Sequence, residues 1–178
     1  MSIELLLGPM FGGKTTELFR IKERVEYAKK ETILYKYDKD TRYTTRHMAM
    51  THSRDGREAI PLATFDGFEP NYGPDVVIFI DEGQFYGESV PDFADRMAKR
   101  GNRVIISALS SDFRRHPWPA VSRLLALATS VDWLTAVCYN CKCEGASFTK
   151  RIASDQDTLE VIGGADKYQA SCLKCFAK

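Results

Sequence analysis

The segment Gly8-Pro9-Met10-Phe11-Gly12-Gly13-Lys14-Thr15 constrains this chain more than any other. It fits G-x-x-x-x-G-K-[ST], a pattern that carries meaning only where a strand leads in and a helix leads out. Both are predicted here. Ile3-Glu4-Leu5-Leu6-Leu7 is a short apolar run that stops at Gly8, as a strand buried in a parallel sheet does. From Lys14 to Lys30 the residues Leu18, Ile21, Val25 and Ala28 recur at helical spacing with charges between them. Thr32 to Tyr37 reads as the next strand, so residues 1–37 spell a βαβ unit with a right-handed crossover.

The chemistry of such a turn follows from its geometry. Glycines let backbone N–H groups converge on phosphate oxygens, and the helix N-terminus adds a partial positive charge. Lys14 is placed to bridge the β- and γ-phosphates of ATP, and the Thr15 hydroxyl to ligate Mg²⁺. A second acid for the metal is expected at the end of a neighbouring buried strand. Asp75-Val76-Val77-Ile78-Phe79-Ile80-Asp81 is such a strand, and Glu82 follows at once. Asp81 is the expected metal acid, and Glu82 is placed to accept a proton from an attacking hydroxyl. The competing reading of the pair is two solvated acids at the start of a loop.

Residues 38–74 are polar and turn-rich, with Asp55-Gly56, Asp66-Gly67 and Pro70-Asn71, and are expected to hold a loop that orders on substrate binding. Pro91 to Arg100 is a predicted helix with Gly101 just past its end. Arg103 to Ala108 is a buried strand, Ala120 to Thr129 a second short helix, and Val131 to Val137 the segment that closes the core. The 25 Lys+Arg against 24 Asp+Glu leave no long-range field to collect a nucleic acid polymer or an anionic membrane. No apolar run approaches the ~20 residues of a membrane span. The N-terminus meets Gly8-Pro9 too soon for a signal peptide, so a cytoplasmic protein is expected.

All five cysteines lie between Cys138 and Cys175. In a reducing compartment such clustering points to a metal and not to disulfides. Cys138-Tyr139-Asn140-Cys141 and Cys172-Leu173-Lys174-Cys175 are two C-x-x-C pairs, and four thiolates in a closed tetrahedron are the pattern of structural Zn²⁺. Redox use of one pair is the competitor. Cys143 is the odd cysteine and could stand in for Cys141.

Taken in order, these blocks resemble type II thymidine kinases, the zinc-containing family of animals, bacteria and some viruses. Gly8 through Leu18, Tyr37 through Tyr43, Asp81-Glu82-Gly83-Gln84-Phe85, Leu134 through Cys138, Phe148-Thr149-Lys150-Arg151, and Val161 through Tyr168 leading to Cys172 and Cys175 each look like a family block. The chain departs at Ser110-Ser111-Asp112 before Phe113, at Trp118 where Phe is usual, and in an added residue and Cys143 between Cys138 and Thr149. It also stops at Lys178, short of the long C-terminal tail of some animal members.

The resemblance implies an α/β fold, a P-loop NTPase (RecA-like) with a mostly parallel sheet and helices on both faces. Residues 1–137 would form this core. Residues 138–178 would form a small zinc-ribbon lobe with a substrate-clamping lasso loop. It also implies an enzyme that moves the ATP γ-phosphate to the 5′-hydroxyl of thymidine, with Glu82 as general base. Asp40, Thr41 and Arg42 would lie beside the phosphates, and Gln84 would join the nucleotide–Mg²⁺ side. Leu159, Glu160, Val161, Ile162 and Gly163 would grip the base through their backbone. Tyr168 and Phe113 would close over the nucleoside, while Met10, Phe85, Leu109 and Thr149 would shape its pocket. A homotetramer is the family expectation, with dTTP the candidate feedback inhibitor. The rivals are a kinase for deoxyuridine analogues, a P-loop ATPase that docks its ribbon on a partner, and a zinc protein with a vestigial P-loop.

Overall fold

A computed structural model describes residues 1–40, 47–51, 53, 55–152 and 163–177 of the chain. Its elements are β1 (Ser2–Gly8), α1 (Lys14–Tyr27), β2 (Thr32–Tyr37), β3 (Met48–Met50), β4 (Gly56–Glu58), β5 (Ile60–Leu62), β6 (Val77–Ile80), α2 (Ser89–Lys99), β7 (Arg103–Leu109), α3 (Pro119–Leu127) and β8 (Ser130–Trp133). The hairpin strands β9 (Phe148–Arg151) and β10 (Tyr168–Ser171) follow, then the single-turn helix α4 (Leu173–Phe176). Six strands form one sheet in the order β5-β2-β6-β7-β1-β8, every adjacent pair parallel. Among the described residues no helix is long and apolar enough to cross a membrane.

Side-chain alternation along the strands builds a core on each face of the sheet. Leu6, Leu34, Val77, Phe79 and Ile105 pack under Leu18, Phe19 and Val25 of α1. On the opposite face Leu5, Leu7, Ile78, Ile80, Val104 and Ile106 pack under α2 and α3 through Phe93, Met97, Val121 and Leu124. The expected α/β layering, with helices on both faces, is the observed one.

Two expectations need correction, and residues 38–74 carry strands that their sequence did not announce. The helix predicted to Lys30 ends at Tyr27, and Ala28 is exposed. Lys29 takes the left-handed conformation, φ 57°, and Lys30 N–H donates to the Val25 carbonyl while Lys29 N–H donates to that of Glu26. That is a Schellman ending with lysine where glycine is usual, so the stop signal is missing from the sequence. Residues 38–74 are not loop throughout, because β3 and β4 form an antiparallel hairpin and β5 joins the main sheet beside β2. Pro61 is tolerated in β5 because it is the sheet's edge strand. Phe65 anchors the segment, fully buried and stacked on Phe93 at 4.3 Å between ring centroids. Last, the stretch predicted to close the core from Val131 is an edge strand with Trp133 exposed.

β1 and β7 are tied at their starts by Arg103, whose Nε and Nη2 each donate to a Glu4 carboxylate oxygen at 2.7 Å. The guanidinium holds the Glu4 carboxyl below its ordinary value. A carboxyl depressed in the folded state adds stability above its unfolded pKa and loses it as pH falls through its folded pKa. Glu4→Gln should therefore cost about 1 kcal/mol at neutral pH, as a partly exposed ion pair does. Urea unfolding should show the two proteins' midpoints converge as pH drops below about 4.

Candidate active site

Turn residues between β1 and α1 carry the phosphate-binding motif. Two of them sit at positive φ, Phe11 at 64° and Gly13 at 76°. Gly8 has a different reason to be glycine, because a Cβ there would lie 2.5 Å from the Leu134 carbonyl oxygen. Lys14 is buried, and its Nζ donates to the Pro9 carbonyl at 2.8 Å, so the ammonium lies over its own loop. Thr15 points at the end of β6, its hydroxyl 3.1 and 3.2 Å from the two carboxylate oxygens of Asp81.

Asp81 is buried where β6 ends and is held from three directions. Thr15 and Ser107 donate through their hydroxyls, and the Glu82 backbone N–H donates to Oδ1 at 3.1 Å. Burial, and then the neighbouring Glu82 charge, push the Asp81 carboxyl up to about 6 against the hydrogen bonds from Ser107 and Thr15. Such a shift is the mark of a carboxylate taken out of water beside a second acid.

Glu82 occupies the left-handed region, φ 56° and ψ 44°, a conformation costing a non-glycine residue on the order of 1 kcal/mol. A 3₁₀ turn, Gly83–Tyr86, begins immediately after it. Gly83 lets that turn sit on β7, since a Cβ there would lie 2.6 Å from Ile106 Cγ2. Gln84 then fixes the Glu82 carboxylate. Its Nε2 donates to Glu82 Oε2 at 2.6 Å, while its Oε1 accepts the Leu109 N–H at 2.9 Å. A cavity of about 250 Å³ opens between the turn and this acid, lined by Lys14, Thr15, Thr16, Thr51, Ser53 and Glu82 among others. Asp40 lies close by, its carbonyl accepting a 2.6 Å hydrogen bond from the buried Lys36 ammonium.

The cysteines meet in one place. The sulfurs of Cys138, Cys141, Cys143 and Cys172 all lie within 4.8 Å of one another, and the Cys175 thiol lies against those of Cys141, Cys172 and Cys138. Cys141 and Cys172 are 3.6 Å apart at sulfur, close to the ~3.8 Å edge of a tetrahedron with 2.3 Å Zn–S bonds. Backbone N–H groups of Cys141, Cys172 and Asn140 donate to the Cys138 sulfur, and that of Cys143 to the Cys141 sulfur. Lys142, at φ 62°, makes the turn that aims them. The donor set is that of a zinc site.

A family profile described as thymidine kinase matches residues 1–176. Human cytosolic thymidine kinase is 43% identical over 176 residues, covering 99% of this chain and 73% of that protein. The thymidine kinase of Myxoma virus is 40% identical over 98% of this chain and 95% of its own length, and thymidine kinase 1 of Dictyostelium discoideum is 41% identical over 98% and 77%. The chain belongs to the thymidine kinase family.

Several residues singled out by likeness to that family come together. Met10, Leu109, Phe113 and Tyr168 form one apolar cluster, with Phe11 and Trp118 packed against it. Thr149 reaches the same place and accepts the Met10 N–H at 2.9 Å. Phe85 stacks on Tyr37 and meets Trp118 edge-on at 5.9 Å. The departure before Phe113 is a built turn, in which the buried Asp112 carboxylate accepts the N–H groups of Arg114 at 2.8 Å and His116 at 2.7 Å. Thr41, Arg42, Leu159, Glu160, Val161 and Ile162 lie outside the described residues, whereas Gly163 lies inside them, its backbone under the Lys167 side chain.

Sequence reasoning passed over Ser107, Lys36 and Arg151 as site residues. A legible signal existed for the first two, since each is a polar residue inside an otherwise apolar buried strand. Gln84→Met would leave the buried Leu109 N–H without its acceptor and release Glu82. Urea denaturation should show a loss of about 1–3 kcal/mol.

Proposed function

We propose that this member of the family transfers the γ-phosphoryl group of ATP to the 5′-hydroxyl of thymidine, with Glu82 as general base. The observation that carries the proposal is the strained, Gln84-clamped Glu82 carboxylate, set one residue after the Thr15–Asp81 pair and facing the same cavity as Lys14. A solvated acid at the start of a loop would need neither the left-handed backbone nor the buried glutamine.

Residues of the chain have separable parts in this reaction. Backbone N–H groups of Gly13, Lys14 and Thr15 at the start of α1 hold the phosphates, and Lys14 neutralises charge where the β- and γ-groups part. Thr15 and Asp81 are the Mg²⁺ donors, and the cation supplies charge neutralisation on the phosphate oxygens. Glu82 takes the proton of the 5′-hydroxyl as it attacks in line. Asp40, with Thr41 and Arg42, supports the phosphate end, and the apolar cluster of Met10, Leu109, Phe113 and Tyr168 receives the nucleoside. The zinc lobe, 138–178, carries Tyr168 and leads to the base-gripping segment of residues 159–163. Homotetramer assembly and feedback by dTTP enter through the resemblance alone. Light scattering with and without dTTP reads the first. A cytoplasmic location agrees with the relatives named cytosolic.

The test is steady-state phosphorylation of thymidine with ATP and Mg²⁺. Glu82→Gln should lower kcat by about 10²–10⁴ with little change in the KM for ATP. Equal turnover by the variant and the wild type would remove Glu82 from the chemistry.

The two C-x-x-C pairs make Cys138, Cys141, Cys172 and Cys175 the proposed zinc ligands, with Cys143, whose sulfur lies within 4.8 Å of those of Cys138, Cys141 and Cys172, the rival fourth donor. Cys141→Ser should then lose its zinc under chelator challenge while Cys143→Ser keeps about one ion per chain. The reverse pattern would move Cys143 into the ligand set.

A further inference from the structure

Strand β9 presents two buried side chains on one face, Thr149 and Arg151, while Phe148 and Lys150, half-buried, take the other face. Thr149 is spent on the phosphate-binding turn through the Met10 N–H. Arg151 has a different target. It pairs across the hairpin with Tyr168 in the β9–β10 register, and its Nη2 donates to the Tyr168 hydroxyl at 2.7 Å. Its guanidinium carbon lies 3.7 Å from the centre of the Phe113 ring and 5.2 Å from that of Tyr168. The side chain thus sits over one aromatic ring and is bonded to the hydroxyl of another, and the residue is only 5% exposed.

A buried guanidinium is an expensive way to fill space. It stays ionised at every physiological pH, and desolvating it costs several kcal/mol before hydrogen bonds and ring contacts offset the loss. Leucine or methionine would fill the same volume with no such cost. What arginine adds is a planar fork that fixes the distance and tilt between two aromatic residues borne on different segments, the turn after β7 and the strand β10. Those residues are the two that the proposed function places over the nucleoside.

We infer that Arg151 is a positioning residue for the nucleoside: it locks Phe113 and Tyr168 into one rigid wall, so that thymidine meets a preformed pocket. The inference rests on the thymidine reading of the site. Preforming the wall lowers the ordering cost of binding, which places the effect in nucleoside affinity and not in the phosphoryl-transfer step. ATP, held by the turn on the other side of Met10, should not sense it.

Steady-state kinetics on the zinc-loaded enzyme test this with Arg151→Lys, Tyr168→Phe and the double variant. Lysine keeps the charge but has neither the planar stack nor the fork. Arg151→Lys should raise the KM for thymidine about tenfold, with kcat and the KM for ATP within about twofold of wild type. Tyr168→Phe should act in the same direction, and the double variant should be no worse than Arg151→Lys, because the two groups act as one unit. The thermal midpoint and zinc content are read alongside. A lower midpoint with an unchanged KM for thymidine would reduce Arg151 to a structural strut and overturn the inference. So would an equal rise in both KM values, or additive effects in the double variant. A wild type that turns over ATP but not thymidine would instead sink the proposed function, and the inference with it.

Discussion

Everything in this site depends on one buried carboxylate. Asp81 ends β6, two strands away from the phosphate-binding β1, and the intervening β7 contributes Ser107 from inside the sheet. Thr15 from the first turn of α1 closes the arrangement. Burial and the neighbouring Glu82 charge disfavour the ionised form of this acid, and its three hydrogen-bond donors offset part of that cost. The parallel sheet sets all these groups at the same end, because parallel strands bring their C-terminal edges to one side. Glu82 inherits its position from the same acid: its N–H bonds to Asp81, its backbone turns left-handed, and Gln84 takes up its carboxylate.

The second constraint runs between the parts of the chain. Thr149 of β9 accepts the N–H of Met10, so the phosphate-binding turn is braced by a strand that begins only after the first cysteine pair. The hairpin is in turn fastened to the cysteine cluster, with the Tyr139 N–H on the Ala170 carbonyl and the Cys172 N–H on the Cys138 sulfur. A metal in that cluster would therefore stiffen a path that ends at the nucleotide turn, although it has no open coordination position for chemistry. The cysteine cluster and the turn after β1 are linked by ordinary hydrogen bonds.

Much of this was legible in the residues, and the reasons differ by element. Long apolar runs such as Leu5-Leu6-Leu7 and Val77-Ile78-Phe79-Ile80 announce buried parallel strands, because both faces are covered. Lys14, Thr15, Asp81 and Glu82 stood out by residue type and spacing, and the fold brings them to one place. What stayed hidden was short or irregular. β3, β4 and β5 are three residues each, too few to show a period. Lys29 ends α1 without the glycine that would mark the stop. Arg151 is a charged residue whose burial is set by Phe113, 38 positions earlier, and by Tyr168 across a hairpin, and no local pattern carries that information.

The most direct measurement is ADP release by the zinc-replete wild type with ATP and Mg²⁺, alone and with thymidine, deoxycytidine or a polynucleotide added. If the acid pair serves nucleoside phosphorylation, release rises by more than about tenfold with thymidine and stays near its basal rate with the others. Release that ignores thymidine and rises with the polynucleotide would contradict it, and would assign the same turn and the same two acids to a partner-driven ATPase.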